Sequence, residues 1–478
     1  MENLRRRWAA PGGYREFLAL AIPLILSTGA WSIQHFVDRM FLSWHSPEAI
    51  AASVPAGIMN FTFLSLFLGT ASYVNTFVAQ YHGAGRRDRI GASVWQGIYF
   101  SLIAAAAMAL LSLAGPLIFN LAGHEARVKA LEEEYFQILC FGAFFPVASS
   151  ALSGFFSGRG KVWTVMWVNF LATGVNIFFD YGLIFGHFGL PALGIRGAAL
   201  ATVLSGVVSA AIFFFLFQKP VCRKEFATWR ARHFDRPLFH RLLYFGFPNG
   251  VQFFLDMLGF ALFILLVGRF GTIALAATNI AFNINTLAFM PMIGSGIAVS
   301  ILVGQRLGEN RPDLAERSVW SAAHITFLYM STVALAYVTV PDLFLRPFGH
   351  GGNTEVFVQI RAYGVVLLRF VAFYSLFDAM NIVFANAIKG AGDTRFVMKV
   401  AVLLSWLVMV IPTYLASVVF HWTLFVAWGF ATAYIVLLGF IFLFRFLSGK
   451  WKSMRVIEEA STPVPVALPE SPSSELEL

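Results

Sequence analysis

The sequence is poor in charge. Only 12% of its 478 residues are Asp, Glu, Lys or Arg, whereas a soluble globular domain carries roughly 25%. A hydrophobic fraction of 58% and a mean hydropathy of +0.72 accompany this deficit. The composition excludes a water-soluble globular protein and indicates an integral membrane protein whose surface faces the lipid bilayer.

The sequence also lacks the motifs of common catalytic and energy-coupling sites. Its two cysteines, Cys140 and Cys222, suggest neither a disulfide framework nor a metal cluster. There is no HExxH, GxSxG or GxxxxGK[ST] motif, and the glycine-rich stretches GAGRRD (83–88) and GRGK (158–161) lie in basic turns between apolar runs. We therefore predict that the protein is not an enzyme, needs no cofactor and is not driven by ATP.

Twelve apolar runs are each long enough to cross a bilayer, which takes about 20 residues. The predicted spans are 17–42, 50–79, 93–119, 135–157, 162–185, 194–218, 241–268, 272–303, 319–345, 362–387, 395–419 and 422–448. The basic N-terminus leads into the first run without a small-residue cleavage site, which favours a retained span over a signal peptide. The predicted fold is an all-α integral membrane protein.

The net charge of +9 comes from basic residues that follow the sides of the membrane, which argues against nucleic acid as a partner. Lys and Arg concentrate near residues 5–15, 86–89, 159–161, 219–241, 306–317, 389–399 and 445–455. Cytoplasmic loops carry this excess in membrane proteins. Both termini are therefore predicted to be cytoplasmic.

The two halves of the chain resemble each other. The interval from Gln80 to Gln305 equals the interval from Pro23 to Pro248. AIAAS (49–53) and ALAAT (274–278) share that interval, and GRGK (158–161) precedes GAGD (390–393) by a slightly longer one. Six spans per half give both halves the same orientation, so the repeat is parallel and places a cleft between two lobes.

The domain boundaries follow from this repeat. We predict a cytoplasmic N-terminus (1–16), an N-lobe of six spans (17–218), a basic cytoplasmic hinge (219–240), a C-lobe of six spans (241–448) and a cytoplasmic, disordered tail rich in Pro, Ser and Glu (449–478).

Four aspartates stand inside predicted spans, where an ionisable group is costly and normally faces the protein interior or water. They are Asp38, Asp180, Asp256 and Asp378. Asn176 precedes Asp180 by four residues, so both lie on one helix face. Asp38 adjoins Arg39 and Asp180 could bond a neighbouring hydroxyl, so purely structural roles stay open for both, while Asp256 and Asp378 lie deeper.

These residues and their surroundings resemble the multidrug and toxic compound extrusion (MATE) family, of the bacterial NorM-like or DinF-like type. The likeness runs from about residue 15 to 450. It is carried by VAQYHGAGRRD, by the long segment from GRGKVWTVMWVNF to GIRGAALATVLS, by GFPNGVQFFLD, by LVGQRLGENRPDLAERS and by the segment from Phe377–Asp378 to IKGAGDT.

The resemblance implies a cation-coupled antiporter with two six-helix lobes forming a V. It exports lipophilic, often cationic, small molecules from the inner (plasma) membrane and acts as a monomer. Asp38, Asn176, Asp180 and Thr202 match family positions linked to ion or proton binding, and Pro23 matches a first-helix proline proposed to gate the N-lobe. In the C-lobe, Asp378 matches an ion-site aspartate. Asp256 stands where many NorM-type members have glutamate, which questions the Na⁺ site that Asp256 and Asp378 would form.

Three other functions are considered. A lipid-linked precursor flippase of the wider superfamily would need basic residues in its cavity, and only Arg39 and Arg369 favour it. A membrane-embedded enzyme would need a catalytic cluster near one face. A channel fits a two-lobe repeat with buried carboxylates at different depths less well than a carrier does.

Overall fold

The structure is a computed structural model that describes residues 7–122, 124–349 and 354–458. Regular structure in these ranges is entirely helical. In chain order the helices are α1 (Tyr14–His45), α2 (Pro47–Ser72), α3 (Val74–Gly83), α4 (Arg87–Ser112), α5 (Gly115–Ala122), α6 (Ala126–Phe141), α7 (Phe144–Ser157), α8 (Val162–Phe185), α9 (Ile195–Phe217), α10 (Pro220–Glu225), α11 (Arg236–Val267), α12 (Thr272–Gly308), α13 (Pro312–Thr339), α14 (Pro341–Leu345), α15 (Thr354–Ala391), α16 (Thr394–Leu404), α17 (Ile411–Tyr414) and α18 (Leu424–Leu447).

The helices supply the predicted twelve membrane spans. Eleven are long and apolar enough to cross a bilayer, and the bent pair α6–α7 makes the twelfth when it is counted as one span. The second span joins α2 and α3, and the eleventh runs from α16 to Val419 through two π-helical segments (Ser405–Val410 and Leu415–Val419). The all-α membrane fold predicted from the sequence is confirmed.

Several helices begin or end away from the predicted boundaries. The seventh span starts at Arg236, inside the stretch predicted as a hinge, because the Asp235 side chain caps it. This carboxylate accepts a hydrogen bond of 3.0 Å from the Leu238 amide, and Pro237 occupies the first turn, where a missing N–H costs nothing. The third span, predicted over 93–119, is the helix Arg87–Ser112.

The helix contacts repeat between the two halves. The first span packs on the eighth (α1 on α12), and its counterpart, the seventh, packs on the second (α11 on α2). In the N-lobe the first span also contacts the fifth, and the second contacts the fourth. In the C-lobe the seventh likewise contacts the eleventh, and the eighth contacts the tenth. Exchanging the halves reproduces the same contacts, so the two lobes are related by a pseudo-two-fold axis.

The first spans of the two lobes cross between the lobes. At the start of α1, Phe17, Ala21 and Leu24 are buried in one core with C-lobe residues such as Val299. At the start of α11, Leu238 and Leu242 are buried in the N-lobe core. The interval that relates Pro23 to Pro248 also pairs Phe17 with Leu242. Each lobe therefore holds the first turns of the other lobe's leading helix.

Close contacts between the lobes lie toward one end of the bundle, which we call the basic face because its turns contain Arg86, Arg159 and Arg311. The Thr28 hydroxyl donates to the Met290 carbonyl at 3.2 Å, and the Asn249 amide donates to the Gly69 carbonyl at 2.6 Å. Beyond these levels, toward the opposite face, the described residues form no hydrogen bond between the lobes. The lobes thus form a V that closes at the basic face.

The C-terminal segment differs from its prediction as a disordered tail. Residues 449–458 are packed: Trp451 is buried, stacks on Phe446 at 5.0 Å and donates its indole N–H to the Phe446 carbonyl. Val456 and Ile457 are also buried. Burial of these three apolar side chains stabilises the segment, although the sequence that follows it is polar. The predicted disorder over 459–478 lies outside the described residues.

Candidate functional site

The structure brings three of the predicted residues together in the N-lobe. Asp38 lies on α1, and Asn176 and Asp180 lie one turn apart on α8. With its amide nitrogen facing the carboxyl groups, Asn176 donates to Asp38 Oδ1 at 2.9 Å and to Asp180 Oδ2 at 3.2 Å. One neutral amide therefore bridges two carboxyl groups from different spans.

This cluster is deeply buried. Asn176 and Asp180 are fully buried, and Asp38 is 7% exposed. Asp180 Oδ1 has no hydrogen-bond partner among the described residues. Tyr135, on α6, lies close enough to interact electrostatically with both carboxyl groups. One buried oxygen lacks a partner and two acids face each other, so binding of a proton or a small cation would stabilise the cluster.

A polar seam continues from this cluster toward the basic face between α1 and α8. The Asn169 amide donates to the Ser27 hydroxyl at 2.6 Å, and the Thr173 hydroxyl donates to the Ala30 carbonyl at 3.4 Å. Inside a membrane such bonds hold helices together in the absence of a hydrophobic driving force. The seam fixes α1 against α8 so that Asp38 faces Asp180.

Two other predicted residues of the N-lobe form no hydrogen bond with the carboxyl pair in the described chain. The described residues show no hydrogen bond from the Thr202 side chain to the cluster, and its carbonyl accepts from the Ser205 hydroxyl at 2.8 Å. Pro23 is buried inside α1 between Ala21 and Leu24 of the C-lobe core, about one turn before Ser27 of the seam with α8. Pro23 removes one helix hydrogen bond at this crossing.

The predicted C-lobe acids are arranged differently. Asp256 on α11 accepts from Gln252 at 3.4 Å, and Asp378 on α15 accepts from Asn381 at 3.1 Å. Each partner lies on the same helix as its acid, and no hydrogen bond joins Asp256 to Asp378 in the described chain. The structure therefore gives two separate carboxyl groups where it gives a bridged pair in the N-lobe.

Two further groups act on the C-lobe acids through their charge or dipole. Tyr434, on the twelfth span, lies near both Asp256 and Asp378, and Lys389, on α15, interacts electrostatically with Asp256. The described residues hold no group of three or more His, Cys, Asp or Glu side chains placed so that they could hold a metal ion. Oxygen donors for a cation in this lobe would come from one carboxylate together with amide and hydroxyl groups.

Sequence reasoning does not identify the seam or the role of Lys389. Ser27 precedes Asp38 by eleven residues, and Asn169 precedes Asp180 by eleven. Eleven residues are close to three helical turns, so this shared spacing is a usable signal for one polar face on each helix. Lys389 lies near a basic turn, so the sequence predicts that it is a cytoplasmic residue. No local sequence pattern relates it to Asp256.

Comparison with known proteins identifies the family. A sequence model of the MatE family matches residues 23–182 and 248–415. A probable multidrug resistance protein NorM of Thermotoga maritima is 25% identical over 455 residues, which cover 93% of this chain and 94% of that protein. A probable NorM of Burkholderia pseudomallei is 30% identical over 396 residues, covering 81% and 82%.

Solved structures show the same fold. A MOP superfamily transporter from Pyrococcus furiosus superposes with a TM-score of 0.83 at 20% identity, over 95% of this chain and 99% of that one. A multidrug resistance MATE family transporter of the MOP superfamily, in an outward-facing conformation, gives a TM-score of 0.82 at 20% identity with the same coverage.

Proposed function

The chain belongs to the MatE family of multidrug efflux transporters, and from this premise we propose that it exports lipophilic, cationic small molecules in antiport with Na⁺ or H⁺. The observation that supports this most directly is the bridged carboxyl pair, Asp38 and Asp180, buried between two membrane spans. Without this pair the N-lobe would have no evident place to load a coupling ion.

The carboxyl pair serves as a coupling site because its state depends on charge. Two ionised carboxylates on one amide repel each other, and their burial in the protein removes the screening that water would provide. Uptake of a proton or a cation relieves this repulsion and stabilises the contact between α1 and α8. A ligand shifts a two-state equilibrium by its difference in affinity for the two states. Loading therefore favours one arrangement of the lobes over the other.

The crossing of the lobes supports alternating access. The start of α1, where Pro23 lies between Ala21 and Leu24, packs in the C-lobe core, and the seam with α8 begins about one turn later at Ser27. A change at Asp38 can thus be transmitted to the contact between the lobes by bending at Pro23, where one helix hydrogen bond is missing. Because the hydrogen bonds between the lobes lie toward the basic face, the proposed cycle assigns this arrangement to the state that is open toward the opposite face.

Positive-inside asymmetry makes the basic face cytoplasmic, with both termini inside. The cleft then opens outward, as export requires of the release step. Monomeric action in the plasma (inner) membrane, without nucleic acid, completes the proposal. The cargo is a cation because acidic groups, rather than Lys or Arg, dominate the interior of the spans.

The C-lobe acids make this lobe the candidate for Na⁺. Asp378 with Asn381, and Asp256 with Gln252, offer oxygen donors at separate points. Hard cations such as Na⁺ take carboxylate, amide and hydroxyl oxygens. We propose that the N-lobe pair takes up protons and that the C-lobe acids supply any dependence on Na⁺.

The experiment is export of a fluorescent lipophilic cation by the purified protein in liposomes, with a pH gradient or a Na⁺ gradient imposed separately. We expect one gradient or both to drive export in the wild type, and Asp180→Asn to abolish the export that a pH gradient drives. Asp342→Asn is the matched control, because Asp342 forms an ion pair with Arg361 far from the cluster. A fully active Asp180→Asn transporter would contradict the proposed coupling site.

No export under either gradient, from protein shown to be folded, would contradict the multidrug antiport itself. A labelled-lipid translocation assay would then test the lipid-linked precursor flippase, for which Arg39 and Arg369 would be the basic residues to replace.

A further inference from the structure

A pair of glutamines closes the basic face symmetrically. Gln80, at the end of the second span, donates to the Gly390 carbonyl of the C-lobe at 3.0 Å. Gln305, at the end of the eighth span, donates to the Gly158 carbonyl of the N-lobe at 2.8 Å. The sequence repeat pairs these glutamines and these glycine turns. Each lobe therefore reaches across with an equivalent side chain, and we call this pair the clasp.

Glycines bring the helix ends together at the clasp. A Cβ atom on Gly83 would overlap the Gln305 carbonyl oxygen, and one on Gly308 would overlap the Gln80 carbonyl oxygen. Gly83 and Gly308 are separated by the same interval as the two glutamines. The second and eighth spans thus cross backbone to backbone at the basic face.

The symmetry is broken by the segment after the last span, residues 454–458, which we call the strap. The Val456 amide donates to Gln80 Oε1 at 2.8 Å, while in the described chain the Gln305 side chain is hydrogen-bonded through Nε2 alone. The Val456 carbonyl accepts two bonds from Arg241, at 2.6 and 3.0 Å. The strap therefore reinforces one half of the clasp.

The strap ends on the N-lobe. The Glu458 carboxylate accepts from the Tyr81 hydroxyl at 2.6 Å and from Arg86 at 2.6 Å, and it lies 3.2 Å from Arg89 Nε. Val456 and Ile457 are 0% and 8% exposed, inside the N-lobe core. Although burial acts to raise the pKa of Glu458, the hydrogen bonds and the two arginines hold that pKa below its usual value. The carboxylate is therefore charged and bonded to the N-lobe.

The strap starts in the C-lobe, so it spans the gap between the lobes. A short helical segment follows the last span of each lobe, and each segment brings one aromatic side chain into its own lobe's core, Trp451 in the C-lobe and Phe226 in the N-lobe. After Phe226 the chain stays with its own lobe, where Trp95 donates to the Thr228 carbonyl at 2.6 Å. After Trp451 it crosses to the other lobe. The crossing is thus an addition to the repeat and is not required by it.

We propose that the strap is a latch that holds the basic face closed, and that its release from the N-lobe sets how readily this face opens. The inference rests on the proposed alternating access, because opening this face separates Glu458 from Tyr81, Arg86 and Arg89 or pulls the strap from the C-lobe. Hydrogen bonds to charged groups contribute more than neutral ones do, so losing Glu458 favours the open arrangement by about tenfold.

The test measures the distance between the lobes in the full-length protein. Spin labels are placed at Lys161→Cys and Lys399→Cys, which are exposed on opposite lobes at the basic face, in a background with Cys140 and Cys222 replaced by alanine. We expect Glu458→Ala to increase the population with the longer distance about tenfold relative to the wild type. Glu458→Gln keeps one acceptor oxygen but loses the charge, and we expect a smaller shift in the same direction.

The control is Glu316→Ala. Glu316 pairs with Lys452 at 2.6 Å, so its loss disturbs the same terminal segment within the C-lobe only, and no shift is expected. Unchanged distances in both Glu458 variants, while substrate or a gradient still moves the wild type, would overturn the latch. Distances in the wild type that respond to neither substrate nor gradient would contradict alternating access itself, independently of the strap.

Discussion

The two lobes have the same helix contacts and different chemistry. In the N-lobe, Asp38 and Asp180 face each other across one amide. The repeat interval of the first spans (Pro23 to Pro248) puts Phe263 at the position of Asp38, and the longer interval of the later spans (Gly158 to Gly390) puts Pro412 at that of Asp180. Phe263 is buried in an apolar core. The repeat therefore preserves packing while each lobe places its acids independently.

The converse holds for the C-lobe acids. The same two intervals relate Asp256 to Trp31 and Asp378 to Pro146, so neither acid has an acidic counterpart in the N-lobe. Packing tolerates exchange of similar volumes, whereas a buried charge needs a specific partner. A duplicated fold can thus retain its architecture while its two ion-handling regions diverge, and the comparison predicts that the two sets of acids do different work.

The largest effect is expected from breaking the N-lobe pair. Asp38→Asn and Asp180→Asn each remove one of the two facing acids, so the site no longer gains from proton or cation uptake. We expect export driven by a pH gradient to fall to the level of protein-free liposomes, with folded protein retained. The measurement is the liposome assay, with Asp342→Asn as the control. Export in Asp38→Asn at the wild-type rate would show that the pair is structural.

A smaller and selective effect is expected from Asp378→Asn. If the lobes divide the ions, this variant loses the part of export that Na⁺ stimulates and retains export driven by a pH gradient. The rate is measured under each gradient for the wild type, Asp378→Asn and Asp180→Asn. If Asp378→Asn lowers the export rate equally under both gradients, the acids of the two lobes act as one coupled site. The proposed division of ions between the lobes would then be wrong.

Much of the architecture can be predicted from the sequence because apolar length and repeat intervals are local signals. The repeat relates Gln80 to Gln305 and the turn at 158 to that at 390, and the structure shows these features in contact. Asn176 and Asp180 share a helix face by spacing alone. These inferences need no knowledge of which helices are neighbours.

The remaining features depend on contacts between distant segments. The charge interaction of Lys389 with Asp256 and the binding of Glu458 to Tyr81 and Arg86 join residues of different helices with no recurring spacing. Composition also conceals the strap, since Pro, Ser and Glu dominate the sequence that follows it. The buried apolar side chains that order this segment are those of Trp451, Val456 and Ile457.

The paired glycines at the basic face test the symmetrical part of the comparison. Gly83→Ala and Gly308→Ala each place a methyl group against the backbone of the other lobe, and overpacking of this kind costs about 1–3 kcal/mol. We expect both variants to lower the midpoint of thermal unfolding by similar amounts. Gly174→Ala is the control, because nothing lies within 4 Å of its added Cβ. A lower midpoint in one variant alone would show that the two glycine contacts at the basic face contribute unequally to stability.

The smallest effect concerns the seam, which only the N-lobe has. The repeat intervals relate Ser27 to Gln252 and Asn169 to Ala401, so the C-lobe cannot form the equivalent hydrogen bond. A double-mutant cycle on the free energy of unfolding, with Ser27→Ala and Asn169→Ala, should give a coupling energy of about 0.6 kcal/mol. This is the usual size for a hydrogen bond between membrane helices. The matched cycle uses Gln252→Ala and Ala401→Ser and should give none, because Gln252 bonds to Asp256 on its own helix. Coupling in both cycles would mean that the seam belongs to the repeat. Coupling in the first alone would show that the contact holding α1 against α8 is specific to the N-lobe, as the carboxyl pair is.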